Sequence, residues 1–401
     1  MPDPFKTYIQ TLQADLARGN ASEHTHRPAI KTLLESLGER LTATNEPRQV
    51  TDCGKPDMGV YQGPVLLGYV ETKDVGVKLD IEEKGPQLRR YREALPNLIL
   101  TDYLEFRWYV NGERRAVASL GTVEGDGKIK AKKEALAAVG ELLAQFLALK
   151  LPSIGTAKEL ALRMAKLAGL VHHAALQTLE MEPPTGTLKV WLAAFEKTLV
   201  PNLSPEDFSD MYAQTLTYGL FAAKVTVGAG QDLRRDTAAG LLPETNPFLK
   251  LLFYHLAGPE VPPAVSWVVD DMVGLLNSAD MEAVMADFGR GFLEKDPVVH
   301  FYETFLAAYD PEKRKVRGVY YTPEPVVSYI VRSIDYLLKE RFGRPWGVAD
   351  PHILILDPAC GTGTFLRSII ALIYDTLCAP RPSRGLGFLR HPKPPPPDIR
   401  L

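Results

Sequence analysis

The chain has 401 residues, 45% hydrophobic and 24% charged, with a net charge of −3. That length holds two or three domains with substantial cores, and the near-neutral balance excludes a protein coated in Lys and Arg while leaving room for a local basic groove. Three widely spaced cysteines (Cys53, Cys360, Cys378) form no CxxC pair, which argues against zinc and fits a reducing cytoplasm; neither a signal segment nor an 18-residue apolar run occurs, so no membrane partner is expected.

Residues 5–41 read as helical, with Ser22 and Glu23 as a helix start and Leu33, Leu34, Leu37 and Leu41 at helix spacing. From 50 to 118 the texture changes to short β-rich runs, Val65–Val70, Leu98–Thr101 and Phe106–Val110, broken by Gly and Pro. A helix over Pro86–Ala94 completes an α-β-β-α-β-β order, a compact mixed α/β domain. A helical stretch begins over Lys128–Lys150. Residues 156–315 are nearly all helix-like, with apolar faces at Leu160, Met164, Leu167 and Val171, and at Phe248, Leu251, Leu252 and His255. A helix follows over Glu324–Leu338. Then His352-Ile-Leu-Ile-Leu-Asp357 reads as a buried parallel strand, leading through a glycine-bearing loop into the helical run Phe365–Tyr374. The tail, 379–401, holds seven prolines and five Lys/Arg against one Asp, and reads as disordered or polyproline.

Two places carry chemistry. In the first, Pro56-Asp57 precedes the strand that ends in Glu71-Thr72-Lys73. Residues i and i+2 of a strand share a face, so Glu71 and Lys73 project together. Asp57, at the end of a preceding strand, can then share a divalent metal with Glu71, while Lys73 orients or deprotonates a water; hard oxygen ligands suit Mg²⁺. Glu23 and Glu35 are candidates for a further metal carboxylate. Gln87 and Tyr91 stand at i, i+4 on one helix face, and Arg89, Arg90 and Arg92 can meet phosphates or form a wet helix face. His172-His173 has no carboxylate at metal-ligand spacing and reads as structural. The order Pro-Asp, Glu-X-Lys, Gln-X-X-X-Tyr resembles the PD-(D/E)XK nucleases. The resemblance implies phosphodiester hydrolysis, with Asp57, Glu71 and Lys73 in the metal site and Gln87 and Tyr91 beside it.

In the second place, Gly361 and Gly363 let backbone approach a ligand, and Asp357 at the strand end can accept from an ammonium group. A carboxylate plus amides suits a zwitterionic amino acid better than a pyrophosphate. Asp357-Pro-Ala-Cys-Gly-Thr-Gly-Thr-Phe365, preceded by Gly318-Val-Tyr-Tyr-Thr-Pro323, resembles the cofactor motifs of adenine-N6 DNA methyltransferases of the γ class. The resemblance implies that Tyr321, Thr322 and Pro323 line the methionine end of S-adenosyl-L-methionine (AdoMet). It implies that Asp357, Pro358, Ala359, Cys360, Gly361, Gly363 and Phe365 form the loop that holds its amino and carboxylate groups in a Rossmann-like domain. No (Asn/Asp/Ser)-Pro-Pro-aromatic segment follows Phe365, and Asn246-Pro247-Phe248 reads as a helix start.

Together the two ends resemble the single-chain type IIG restriction–modification enzymes, which implies double-stranded DNA as partner. No Gly-X4-Gly-Lys-(Ser/Thr) loop occurs, so no ATP motor is expected. The organisation expected is a multidomain α/β chain: a nuclease domain over 1–150, an all-helical connector over 151–310, an incomplete methyltransferase domain over 311–378, and the tail 379–401. An N-terminal fragment, cut by truncation or a frameshift near Leu377, is the expectation; a catalytically decayed DNA-binding chain and a stand-alone nuclease are the alternatives.

Overall fold

The computed structural model describes residues 3–18, 22–45, 55–63, 65–124, 128–131, 133–150, 153–198, 200–228, 230–241, 253–255, 257–258, 261–289, 297–310, 322, 324–360 and 363–378. The chain divides into two compact units, Met1–Arg290 with His300–Tyr309, and Gly291–Val299 with Asp310–Leu401.

The first unit begins with two helices, α1 (Pro4–Ala17) and α2 (Glu23–Ser36). The Asp3 carboxylate accepts from the Phe5 N–H at 3.0 Å and opens α1, while the Ser22 N–H donates to Thr25 Oγ1 at 3.0 Å at the start of α2. The helix expected to reach Leu41 stops at Ser36. Gly38 and the left-handed Arg40 (φ +58°) turn the chain, and Leu41 opens the first strand.

Six strands form one sheet in sequential order: β1 (Leu41–Asn45), β2 (Met58–Gln62), β3 (Val65–Thr72), β4 (Asn97–Thr101), β5 (Glu105–Val110) and β6 (Glu113–Ser119). All neighbours are antiparallel except β3 and β4, which run parallel. That pair needs a crossover, supplied by α3 (Leu79–Glu82) and α4 (Pro86–Ala94). β1, β2 and β6 were not among the expected strands. β6 runs Glu113-Arg-Arg and then Ala-Val-Ala-Ser119, charged and small residues with a single larger aliphatic, so its apolar signal is weak. A two-stranded ribbon, β7 (Gly121–Val123) with β8 (Ile129–Ala131), precedes α5 (Lys133–Ala148), which starts later than the helix expected from Lys128.

Strand alternation divides the sheet into two covered faces. On one, Met58, Val60, Val70, Ile99, Phe106, Trp108 and Val110 pack with Tyr8 and Leu12 of α1, Ile30, Leu33 and Leu34 of α2, and Val139, Leu142, Leu143 and Phe146 of α5. At the other face lies Tyr69. Burial on both sides explains why Asn-Leu-Ile-Leu-Thr of β4 is buried throughout. Gly68 is required at the α5 side: a Cβ there would lie 2.7 Å from both Asn97 Nδ2 and the Phe146 ring. Asn97, 1% exposed, donates to the carbonyls of Leu67 (2.7 Å) and Phe146 (3.0 Å) and accepts from Trp108 Nε1 (2.7 Å), so a buried amide ties β3, β5 and α5 to β4 with its polar atoms matched.

A helical layer completes this unit: α6 (Ala157–Met181), α7 (Thr187–Thr198), α8 (Pro205–Val227), α9 (Arg235–Ala238), α10 (Pro263–Ser278), α11 (Met281–Gly289) and the His300–Tyr309 part of α12 (Pro297–Tyr309). The expected apolar face of α6 (Leu160, Met164, Leu167, Val171) is buried. In the other expected face, Phe248, Leu251 and Leu252 lie outside the described residues, as does Asn246-Pro247-Phe248 as a motif. The helical layer meets the sheet through Tyr69, whose hydroxyl donates to the Asp271 carboxylate of α10 at 2.6 Å and whose ring stands edge-on to Trp267 at 5.8 Å.

The second unit holds α13 (Glu324–Glu340) and α14 (Thr364–Cys378) around a small core of Val327, Val331, Val348 and Ile369. Asp335 anchors it, accepting from the Val348 N–H at 3.0 Å and pairing with Lys339 at 2.6 Å. The strand expected over 352–356 is not formed. Leu354 is 97% and Leu356 85% exposed, and the segment carries no ladder pairing. A parallel strand exists only beside a neighbour that takes its N–H and C=O groups, and the described residues of this unit hold no strand. The described residues of this unit thus hold helices and no sheet. The tail 379–401 lies outside the described residues.

Candidate functional sites

The β2–β3 register, Met58 opposite Val70, brings Asp57 beside the carboxyl end of β3. Asp57 sits in the bend that leads into β2, a correction to its expected place at the end of a preceding strand. The antiparallel pairing makes the start of β2 and the end of β3 neighbours, so the convergence survives. Asp57 is 7% and Glu71 3% exposed. Asp57 Oδ2 accepts from both the backbone N–H and the hydroxyl of Thr72, each at 2.7 Å, and Oδ1 is ion-paired with the Arg27 guanidinium. Lys73 Nζ donates to Glu71 Oε1 at 2.8 Å, and the Lys73 N–H donates to the Thr101 carbonyl at 2.8 Å, which pins the strand end against β4. Gln87 and Tyr91 form their own pair on α4, with Gln87 Nε2 donating to the Tyr91 hydroxyl at 3.1 Å.

Other candidates have structural employment. Glu35 accepts from the Ala43 N–H at 3.0 Å and so fastens α2 to β1. It stands eight residues, about 12 Å along the helix, from Arg27. The Glu23 side chain lies outside the described residues. Arg92 pairs with Glu83 at 3.2 Å, donates to the Gly112 carbonyl and lies 4.8 Å above the Tyr109 ring, so it packs α4 onto the β5–β6 turn. Arg90 is half-buried, and burial lowers its pKa. His172 finds a carboxylate that spacing did not show, Glu206 of α8 at 3.1 Å, and joins two helices. Burial lowers the His173 pKa, with Arg90 and His172 adding to it.

Arg27 and Thr72 were missed at the sequence level. The signal for Arg27 was present: with Ile30 and Leu34 it follows i, i+3, i+7, so an arginine stands on the buried stripe of α2. A buried arginine needs a carboxylate, and Asp57 is that carboxylate.

As arranged, this site does not fit a divalent ion. Both Asp57 oxygens and Glu71 Oε1 are engaged by protein donors. Among the described residues no group of three His, Cys, Asp or Glu side chains is placed to hold a metal.

The second site is the loop 357–363. Asp357 Oδ1 accepts from the Ala359 N–H at 3.1 Å, whereas Oδ2 is buried with no hydrogen-bond partner among the described residues. Gly363 has φ +76° and open space where a side chain would stand, and its N–H donates to the Cys360 carbonyl at 2.8 Å. Pro358, Ala359 and Cys360 are exposed. Phe365 is half-buried and packs against the core of α13 and α14. Thr322 is half-buried; Tyr321, Pro323 and Gly361 lie outside the described residues. An orphaned carboxylate oxygen beside an open glycine turn fits the ammonium end of AdoMet.

Residues 293–380 match the family model of the N-6 DNA methylases. This region includes the whole 357–363 loop and the upstream Gly318–Pro323 motif. Among solved structures, the chain is similar to that of the cryo-EM DrdV–DNA complex, at 22% identity and a TM-score of 0.36, over 92% of this chain and 35% of that one. The chain therefore spans about a third of the length of that protein. No curated protein matches it. No helix among the described residues is long and apolar enough to cross a membrane.

Proposed function

We propose that the chain belongs to a DNA restriction–modification protein that joins an AdoMet-dependent adenine-N6 methylase region to a DNA-cleaving site in the N-terminal sheet. The observation that carries this reading is the N-6 DNA methylase match over 293–380, inside which Asp357 keeps a buried oxygen with no hydrogen-bond partner among the described residues. AdoMet supplies a methyl group when bound. By the resemblance of the motifs, Asp357 would hold its ammonium group, Gly361 and Gly363 its carboxylate, and Tyr321, Thr322 and Pro323 its methionine end. An AdoMet titration of the full chain checks this. Binding weaker by at least about tenfold is expected in Asp357→Ala, the loss of one charge-assisted contact; equal affinity would reject it.

The cleavage reading rests on a separate observation, the convergence of Asp57, Glu71 and Lys73 at the joined ends of β2 and β3. Lys73, held by Glu71, is placed to stabilise negative charge on a phosphodiester oxygen. Duplex DNA is the substrate class. Incubation of the full chain with supercoiled DNA, with Mg²⁺ and without it, is expected to show nicking, and Lys73→Ala to slow it by about 10²–10³-fold. Unchanged nicking in Lys73→Ala places any cleavage elsewhere.

A further inference from the structure

We infer that the outward face of α13 is a docking groove for the proline run of this chain's own tail, Pro394–Pro397, with Asp398 seated on Arg332.

α13 turns Val327 and Val331 into the small core of its unit. At roughly 100° per residue, Tyr329, Arg332 and Tyr336 fall on the opposite side of the helix. There they line, with Ser333 and Leu337, an open groove of about 460 Å³. Tyr329 is 71% and Tyr336 62% exposed, a concentration of apolar area on one helix face that marks a binding surface. Arg332 is the one charged residue among those lining the groove. Its Nε donates to the Ser328 carbonyl at 3.3 Å, and it has no carboxylate partner among the described residues.

Spacing, charge and reach identify the occupant. Tyr329 and Tyr336 stand about 10.5 Å apart along the helix axis. Three residues of polyproline II rise about 9.3 Å, so Pro394 and Pro397 stand one full turn apart on one side of the run. Each of the two proline rings can therefore lie against one tyrosine, the mode by which proline-rich segments dock on aromatic-lined grooves. Asp398 follows the run directly and is the single acidic residue of 379–401, matching the single cation of the groove. Fifteen residues separate Cys378, the end of α14, from Pro394. As flexible chain they span roughly 20 Å, against about 25 Å for the length of α13. α14 packs on α13 through Ile369 and Leu372, so the tether begins beside the helix it must reach. Tethering at that length keeps the local concentration of the run high, and a weak contact then suffices. Other occupants fit less well. Duplex DNA offers many phosphates to a groove with one cation. A second copy packed on the groove across a two-fold axis would bring two Arg332 side chains together.

The test is a fluorescence-anisotropy titration of a labelled peptide spanning residues 390–400 with the full chain. Pro394→Ser with Pro397→Ser in the chain frees the groove. This variant should bind the peptide at least about fivefold more tightly than wild type, whose own tail competes. On that freed background, Tyr329→Ala with Tyr336→Ala should abolish binding, and Arg332→Glu should weaken it about tenfold. A peptide carrying Asp398→Arg should recover most of that loss on the Arg332→Glu chain, a rescue that unfolding cannot produce. Tyr329, Arg332 and Tyr336 are exposed, so their variants are expected to fold. Peptide that binds wild type and the freed variant equally, or binding insensitive to the tyrosine pair, overturns the inference. So does a freed variant that ignores the peptide and instead self-associates, or takes up a short duplex, through Tyr329 and Tyr336.

Discussion

The sheet end at Asp57, Glu71 and Lys73 and the loop at Asp357–Gly363 invert each other. The first has a loose motif in a finished setting: its strands are paired, and each carboxylate has a cation. The second has a long, literal motif in an unfinished setting: the aliphatics that should lead into it are exposed, and the described residues of its unit hold no strand. Specificity of wording and completeness of fold are therefore independent. A motif reports what a segment binds, whereas packing around it reports whether the binding geometry is already held.

The sharpest way to break this contrast is a matched pair of truncations. Val70, fully buried between the sheet and its helices, should cost roughly 2–3 kcal/mol as Val70→Ala. Leu354, a larger side chain that touches solvent, should cost less than about 0.5 kcal/mol as Leu354→Ala. Denaturant unfolding of the two variants measures both; a loss at Leu354 equal to that at Val70 would show a packed strand over 353–356.

A smaller effect probes how firmly the sheet is held by its helical layer. Burial pushes the Asp271 carboxyl up to about 7; neighbouring Asp270 adds to the rise, while the Tyr69 hydroxyl and Lys55 oppose it. The unfolded carboxyl ionises in the ordinary aspartate range, so folding takes up a proton between about pH 4 and pH 7. The stability tied to protonated Asp271 is full below that window and lost as pH rises through 7. Asp271→Asn, which keeps an acceptor for Tyr69, should differ least from wild type near pH 4, with an advantage that grows through the window and is complete near pH 8. Thermal melts at the two pH values check it, and an equal difference at both would remove the linkage.

Much of this architecture was legible in order and spacing. Pro86–Ala94 matched α4 residue for residue, and Val65–Val70 lay within β3 because its apolar run is bounded by Gly63-Pro64 and the polar Glu71. β2 was missed, since Met58-Gly-Val-Tyr-Gln is short and glycine-bearing and is specified by pairing with β3 rather than by its own propensity. The 352–356 strand failed for the opposite reason: a strong local pattern had no partner among the described residues. Asp57, Glu71 and Lys73 were singled out by their order and by the strand that leads into Glu71. Arg27 stood on the buried stripe of α2, but its pairing with Asp57, like that of Thr72, arises only where α2 and the β3 end meet Asp57.

Native-state hydrogen exchange on the full chain tests the contrast between the two sites most directly. Amides of β3 from Leu66 to Thr72 should exchange slowly, through large-scale opening, while those of Leu354, Ile355 and Leu356 exchange near the rate of an unfolded peptide. Protection at 354–356 comparable to that of β3 would mean that a sheet is formed at the Asp357 loop, and would contradict the distinction between a finished site and an unfinished one.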